Sequence, residues 1–115
     1  MEAIKILIIP QVAFFDKVEY KIEEEKITIT IDNVTDVFDF IDYPDGEVEK
    51  NEDTQMPDIE TKLDILPIID AYRKEGCLYL TIFFWVSSLE EREELLDLGW
   101  LNPEDFKRIA LEKRG

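Results

Sequence analysis

Apolar and polar residues alternate along much of the first two thirds of the chain. Lys17-Val18-Glu19-Tyr20-Lys21-Ile22-Glu23 keeps a strict period of two, and Lys26-Ile27-Thr28-Ile29-Thr30-Ile31 repeats it with β-branched residues throughout. Both patterns predict half-exposed strands, because successive side chains of a strand point to opposite faces. Glu23-Glu24-Glu25 turns the chain between them, and Asp32-Asn33 forms a two-residue hairpin loop that leads into a returning strand over Val34 to Ile41. Ile4 to Ile9 is a continuous apolar run that Pro10 ends, as expected of a buried strand. Tyr43-Pro44-Asp45-Gly46 is the firmest turn, since Pro presets one dihedral and Gly supplies a positive φ. Ile65 to Arg73 resumes extended character, Lys74-Glu75-Gly76 turns, and Cys77 to Val86 is apolar on both of its faces, so both faces require cover. This last hairpin is read as the heart of the sheet.

The period then changes. Ser87 or Ser88 followed by Glu90 or Glu91 makes a capping box, and Leu89, Leu95, Leu96 and Leu98 form one stripe of a helix over 88–98 that Gly99 stops. A second helix over 103–113 has Asn102 as its cap, Pro103 in its first turn, and Glu104 and Asp105 at its positive end. Its buried face is Phe106, Ile109 and Ala110. The fold class is therefore α+β, a mainly antiparallel sheet of hairpins followed by two C-terminal helices packed on it. The connection lengths favour hairpins over crossovers. The 115 residues make a single domain, with strands within 4–86.

Charge changes the picture of the surface. Twenty-eight acids against 13 Lys and Arg give a formal charge of −15, a field that repels phosphate and lipid headgroups, so neither direct nucleic-acid binding nor membrane binding is expected. From Asp42 to Asp64 nine acids face only Lys50 and Lys62, which marks an exposed acidic loop over about 47–62. With 45% hydrophobic residues the chain still has the apolar material for a core. A single cysteine, Cys77, excludes an internal disulfide and fits a reducing compartment. The N-terminus shows no signal-peptide pattern and no apolar run is long enough to span a bilayer, so a cytoplasmic or virion location is expected and secretion is not.

Candidate chemistry is sparse. Without histidine there is no His-based triad, no His zinc site and no neutral-pH proton shuttle. Ser87 and Ser88 are the only serines and are explained by helix capping; the four glycines have no phosphate-cradling spacing. A calcium loop placed with Gly46 at its sixth position puts Tyr43 at the third and Ile41 at the first, where oxygen ligands are needed. Carboxylate pairs are too abundant to single one out. No catalytic residue, metal ligand, cofactor or small-molecule substrate is assigned, and the chain is not read as an enzyme. Phe83, Trp85 and Trp100 are the candidate interaction residues, since such aromatics anchor interfaces, although core packing competes for the same side chains.

Three stretches carry a resemblance. They are Val37-Phe38-Asp39-Phe40-Ile41-Asp42-Tyr43-Pro44-Asp45-Gly46-Glu47-Val48, then Leu66 to Arg73, then Gly76-Cys77-Leu78-Tyr79-Leu80. Together, over a third to half of the chain, they resemble small uncharacterised proteins encoded in tail-gene regions of phages and prophages. The shared pattern is an aromatic-Asp-aromatic strand, a Pro-Asp-Gly turn, an Ile-x-Ala-x-Arg strand and a Gly-x-Leu-Tyr hairpin. The resemblance implies a phage-related context, that of a minor virion part, a tail-assembly factor or an accessory protein, and the leading expectation is a tail-associated structural or assembly component acting through a protein partner or self-association. The charge alone motivates a different expectation, an acidic inhibitor that mimics DNA on the basic site of a host nucleic-acid enzyme.

Overall fold

A computed structural model describes residues 4–15, 17–41, 46–47, 59, 61–63 and 65–114. The turn at Tyr43 to Gly46 and the acidic loop over 47–62 fall largely outside these residues. The described strands are β1 (Ile4–Val12), β2 (Val18–Glu23), β3 (Lys26–Ile31), β4 (Val34–Asp39), β5 (Gly46–Glu47), β6 (Ile68–Lys74) and β7 (Cys77–Val86), followed by α1 (Leu89–Leu95) and α2 (Pro103–Arg114). They form a four-stranded sheet of order β1-β7-β6-β5 and a three-stranded sheet of order β2-β3-β4. Strands rich in antiparallel pairs with two C-terminal helices packed on them make an α+β fold.

The hairpins form where the loop chemistry allows. The loops between β2 and β3 and between β3 and β4 each begin with a residue at positive φ, Glu24 at 56° and Asp32 at 55°. Asp32 is also tied in by its own side chain, whose Oδ1 accepts the Lys17 N–H at 3.0 Å. Glu75 at φ 52° and Gly76 at φ 79° turn β6 into β7, the two-positive-φ pattern that matches the twist of a tight hairpin.

One pairing runs against the expectation that the connections favour hairpins over crossovers. β1 lies parallel to β7, with Ile4 opposite Leu78 and Val12 opposite Val86. Parallel neighbours need a crossover, and here the whole middle of the chain supplies it. β1 also runs through Pro10 to Val12, where the sequence pattern ends it at Pro10. The reason is position: β1 is an edge strand, and Ile6 turns its N–H and C=O outward to Leu101 at 2.8 and 2.7 Å. Pro10 has the same parity as Ile6, so its missing N–H faces the open edge and no ladder bond is lost.

A single core joins the two sheets and α2. Ile4, Ile6 and Ile8 of β1, Leu78, Leu80, Ile82 and Phe84 of β7, and Val18, Tyr20, Ile22, Ile27 and Ile29 of the small sheet are all buried in it. Its centre is aromatic. Tyr20 stacks on Phe84 with centroids 4.7 Å apart, and Phe106 of α2 meets both rings edge-on at 6.0 and 6.2 Å. Arg73, at the end of β6, ties the sheets together a second time through an ion pair to Glu25 and a 2.8 Å bond to the Phe40 carbonyl. Both side chains of that pair are close to buried, at 11% and 13% exposure.

The helices follow their caps, with one correction. Ser88 Oγ accepts the Glu91 N–H and Glu91 Oε1 accepts the Ser87 N–H, both at 3.2 Å, which is the reciprocal box slid by one residue on its return arm. Asn102 Oδ1 accepts the Asp105 N–H at 2.8 Å, and Phe106, Ile109 and Ala110 are buried as expected. However, α1 ends at Leu95 and does not reach residue 98. Of the expected stripe only Leu95 is buried; Leu89, Leu96 and Leu98 are exposed. Glu90, Glu93 and Glu94 crowd neighbouring positions on so short a helix, and like charges three and four residues apart oppose helix propagation. The chain then turns through Asp97 at φ 60° and Gly99 at φ 73° to bring Leu101 onto Ile6.

Candidate protein interface

β7 shows its two faces plainly. Leu78, Leu80, Ile82 and Phe84 point into the core, while Cys77, Tyr79, Thr81 and Phe83 on the other face are only half-buried. The expectation that both faces are covered holds for one of them. Parallel register sets Lys5, Leu7 and Ile9 of β1 beside Tyr79, Thr81 and Phe83, and the antiparallel register of β6 sets Tyr72 beside Tyr79 and Asp70 beside Thr81. The outer face of this sheet is thus a strip of aliphatic and aromatic side chains with charges at its margins.

Two aromatic groups occupy the ends of the strip. At one end Tyr72 and Tyr79 stack 4.9 Å apart, and Trp100 stands edge-on to both at 6.4 and 5.2 Å. Trp100 is 42% exposed. At the other end Phe83 stacks on Trp85 at 5.8 Å, and Phe15 closes over Trp85 edge-on at 5.6 Å. Trp85 is 4% exposed and serves as the support for Phe83, with no surface of its own to offer a partner. Phe14, beside Phe15, is 89% exposed.

The three residues singled out in the sequence therefore share one sheet face but differ in access: Trp100 is open, Phe83 half-buried and Trp85 enclosed. Tyr72, Tyr79, Leu7 and Ile9 belong to the same surface and were not singled out. The period-two pattern of Cys77 to Phe84 carries Tyr79, whereas Leu7 and Ile9 join only through the parallel pairing with β1.

The end of β7 is held by a side chain. β6 carries an irregularity between Ile68 and Asp70, and the Phe83 N–H bonds to the Pro67 carbonyl at 2.9 Å. Beyond it the Tyr20 hydroxyl takes the place of a strand, donating to the Phe83 carbonyl at 3.2 Å and accepting the Trp85 N–H at 3.0 Å. The buried face of the small sheet thus fixes the backbone that presents Phe83.

Polar chemistry on the strip is slight. The Tyr79 phenol is pushed above its ordinary value, first by its electrostatic interaction with Cys77 and then by burial. Among the described residues no group of three or more Cys, Asp or Glu is placed to hold a metal ion. A hollow of about 120 Å³ is lined by Glu23, Glu24, Glu25 and Asp39 together with Lys26 and Ile41, and in it Glu25 is already committed to Arg73. No helix among the described residues is long and apolar enough to cross a membrane. No family model matches the chain, and no curated protein or solved structure matches it.

Proposed function

We propose that this chain is a non-enzymatic structural or assembly component of phage or prophage tails, acting through protein contacts on the outer face of the β1-β7-β6 sheet. The observation that carries the reading is the half-open aromatic strip itself. A 10-residue central strand leaves Tyr79 and Phe83 incompletely covered, and Trp100 is brought up to extend the strip while staying 42% exposed. Large aromatic side chains on a rigid sheet bring apolar contact area at little entropic cost, which is what anchors protein interfaces.

The described acids lend the DNA-mimic reading little support. On the solvent face of the small sheet Glu19 and Glu23 alternate with Lys17, Lys21 and Lys26, and further acids lie on α1, α2 and the turns. A mimic needs uninterrupted rows of negative charge with phosphate-like spacing. The lysines break such rows.

The test uses a tagged chain in host cells producing phage particles, with tails and tail intermediates separated by sedimentation. The chain is expected in one of these fractions, held by contacts that survive high salt, and Trp100→Ser is expected to leave the fraction while remaining folded. Tails that assemble in normal yield without the gene, and never contain the tagged chain at any stage, would refute the reading.

A further inference from the structure

We infer that the partner of the aromatic strip is an amphipathic helix of a different protein, with an apolar face flanked by Lys and Arg. The inference rests on the strip being a protein-binding face, as proposed above, and not on the tail context. A sheet face is recognised through side chains only, because β7 from Leu78 to Ile82 is already paired with β1 on one side and with β6 on the other. An added strand therefore has nothing to pair with there. A helix fits the dimensions: three strands are about 10 Å across, the diameter of one helix with its side chains. Along β7, Tyr79 and Phe83 stand about 13 Å apart, a length that about nine helical residues cover.

Charge decides what kind of helix. α1 packs on β1 and β7, and the chain returns from it through Trp100 to the bridge between Leu101 and Ile6, so residues 89–100 border the β1 side of the strip. They carry Glu90, Glu91, Glu93, Glu94 and Asp97 against Arg92 alone, a net charge of −4. Glu90, Glu93 and Asp97 are exposed, and so are Leu96 and Leu98, which continue the apolar surface from Trp100 toward these acids. Across the strip Asp70 lies on β6, while Lys5 and Lys74 stand at the end marked by Tyr72 and Tyr79, so the surroundings stay net negative. An apolar strip beside a row of carboxylates is complementary to a helix whose apolar face is bordered by basic residues.

A second copy of this chain is a poor occupant. It brings the same acidic border and the same total charge of −15, so apposing two strips sets like charges together. Nor does it supply the basic helix. α1 is acidic, and α2, which carries Lys107 and Arg108, turns its apolar residues Phe106, Ile109 and Ala110 into its own core.

The experiment is a titration of the purified full chain with a dye-labelled helical peptide of about five turns, Leu at i, i+4, i+7 and i+11 and Lys on the flanks, followed by fluorescence anisotropy. Two control peptides separate the parts of the inference, one with Glu for every Lys and one with Ser for every Leu. The basic amphipathic peptide is expected to bind at least about tenfold tighter than either control. Trp100→Ser is expected to weaken it about tenfold through lost apolar contact. The double variant E90K/E93K is expected to weaken it about fivefold at low salt, a loss that shrinks as salt screens the border. Unchanged far-UV spectra and melting would show that both variants fold. Equal binding of the Glu peptide overturns the basic partner while leaving the strip as the contact. Equal binding of the Ser peptide, or binding that survives Trp100→Ser, shows attraction to the overall field alone and overturns the inference. So does a chain that binds no basic peptide, or one that associates with itself through the strip instead. All of these results come from the purified chain, so they are distinct from its absence from tails.

Discussion

Tyr20→Phe is the most telling single change, because it removes one oxygen and leaves every ring contact in place. The phenyl ring keeps its stack on Phe84 and its edge contact with Phe106, so burial of apolar surface is unchanged. What is lost is the hydroxyl that accepts the buried Trp85 N–H and donates to the part-buried Phe83 carbonyl. A buried polar group stripped of its partner costs about 1–3 kcal/mol and the part-buried carbonyl about 1, so the two together predict a loss of about 2–4 kcal/mol. At the usual unfolding entropy per residue, a chain of this length loses about 4 °C for each kcal/mol, or roughly 8–16 °C in all. Urea unfolding followed by fluorescence gives the free energy, and calorimetry the midpoint. The slope against urea should not change, since the surface exposed on unfolding is the same. Tyr20→Leu provides the contrast, losing the stack as well and costing more than Phe. A Phe variant within about 0.5 kcal/mol of the parent would refute the reasoning, for it would mean that water serves the two backbone groups equally well.

Arg73→Met is expected to destabilise the fold by about 3 kcal/mol, because Glu25 is left close to buried without its partner and the Phe40 carbonyl loses a donor. The double variant R73M/E25Q should cost clearly less than the sum of the singles in the same urea assay; simple additivity would show that the pair does not act as a unit. Asp36 predicts a pH dependence. Burial raises its pKa, but the N–H groups of Lys62 and Val37, the Thr61 hydroxyl and the Lys62 charge outweigh this and hold it below the ordinary 3.8. A depressed carboxylate stabilises the fold above its unfolded pKa, and that contribution fades as pH falls through the folded value. The gap in urea midpoint between parent and Asp36→Asn should therefore be constant near neutrality and close progressively below about pH 4; a gap that does not change down to pH 2.5 would contradict it.

What could be read from the sequence was what neighbouring residues decide together. β2 and β3 follow from strict alternation, their loops from the charged cluster Glu23-Glu24-Glu25 and from Asp32-Asn33 tolerating positive φ, and α2 from Asn102, Pro103 and the spacing of Phe106, Ile109 and Ala110. The pairing of β1 with β7 was not legible, since nothing near Ile4 announces a partner more than 70 residues away. Pro10 misled for the same reason: its cost depends on which edge its nitrogen faces, a property of the sheet and not of the local pattern. The candidate surface was half legible. Trp100 and Phe83 were named from residue type, but Trp85 belongs to the same class and is enclosed by Phe15, whose role only the tertiary packing reveals.

The clearest departure from pattern is also where the candidate surface is built. A helix continued to residue 98 would satisfy the spacing of Leu95, Leu96 and Leu98, yet the chain leaves it after Leu95 and adopts a positive φ at Asp97, which has no glycine's freedom there. The return is what the early exit secures. Through Gly99 the segment doubles back, Leu101 bonds to Ile6 from both its N–H and its C=O, and Trp100, one residue earlier, is set against Tyr72 and Tyr79. The bridge at Leu101 guards the edge of β1, while its neighbour lengthens the aromatic strip and remains exposed. Closing the edge requires only Leu101; the tryptophan beside it extends the aromatic strip and stays 42% exposed. Local preference yields here to a contact between distant parts of the chain, and what results is the aromatic surface on which the proposed protein contacts are placed.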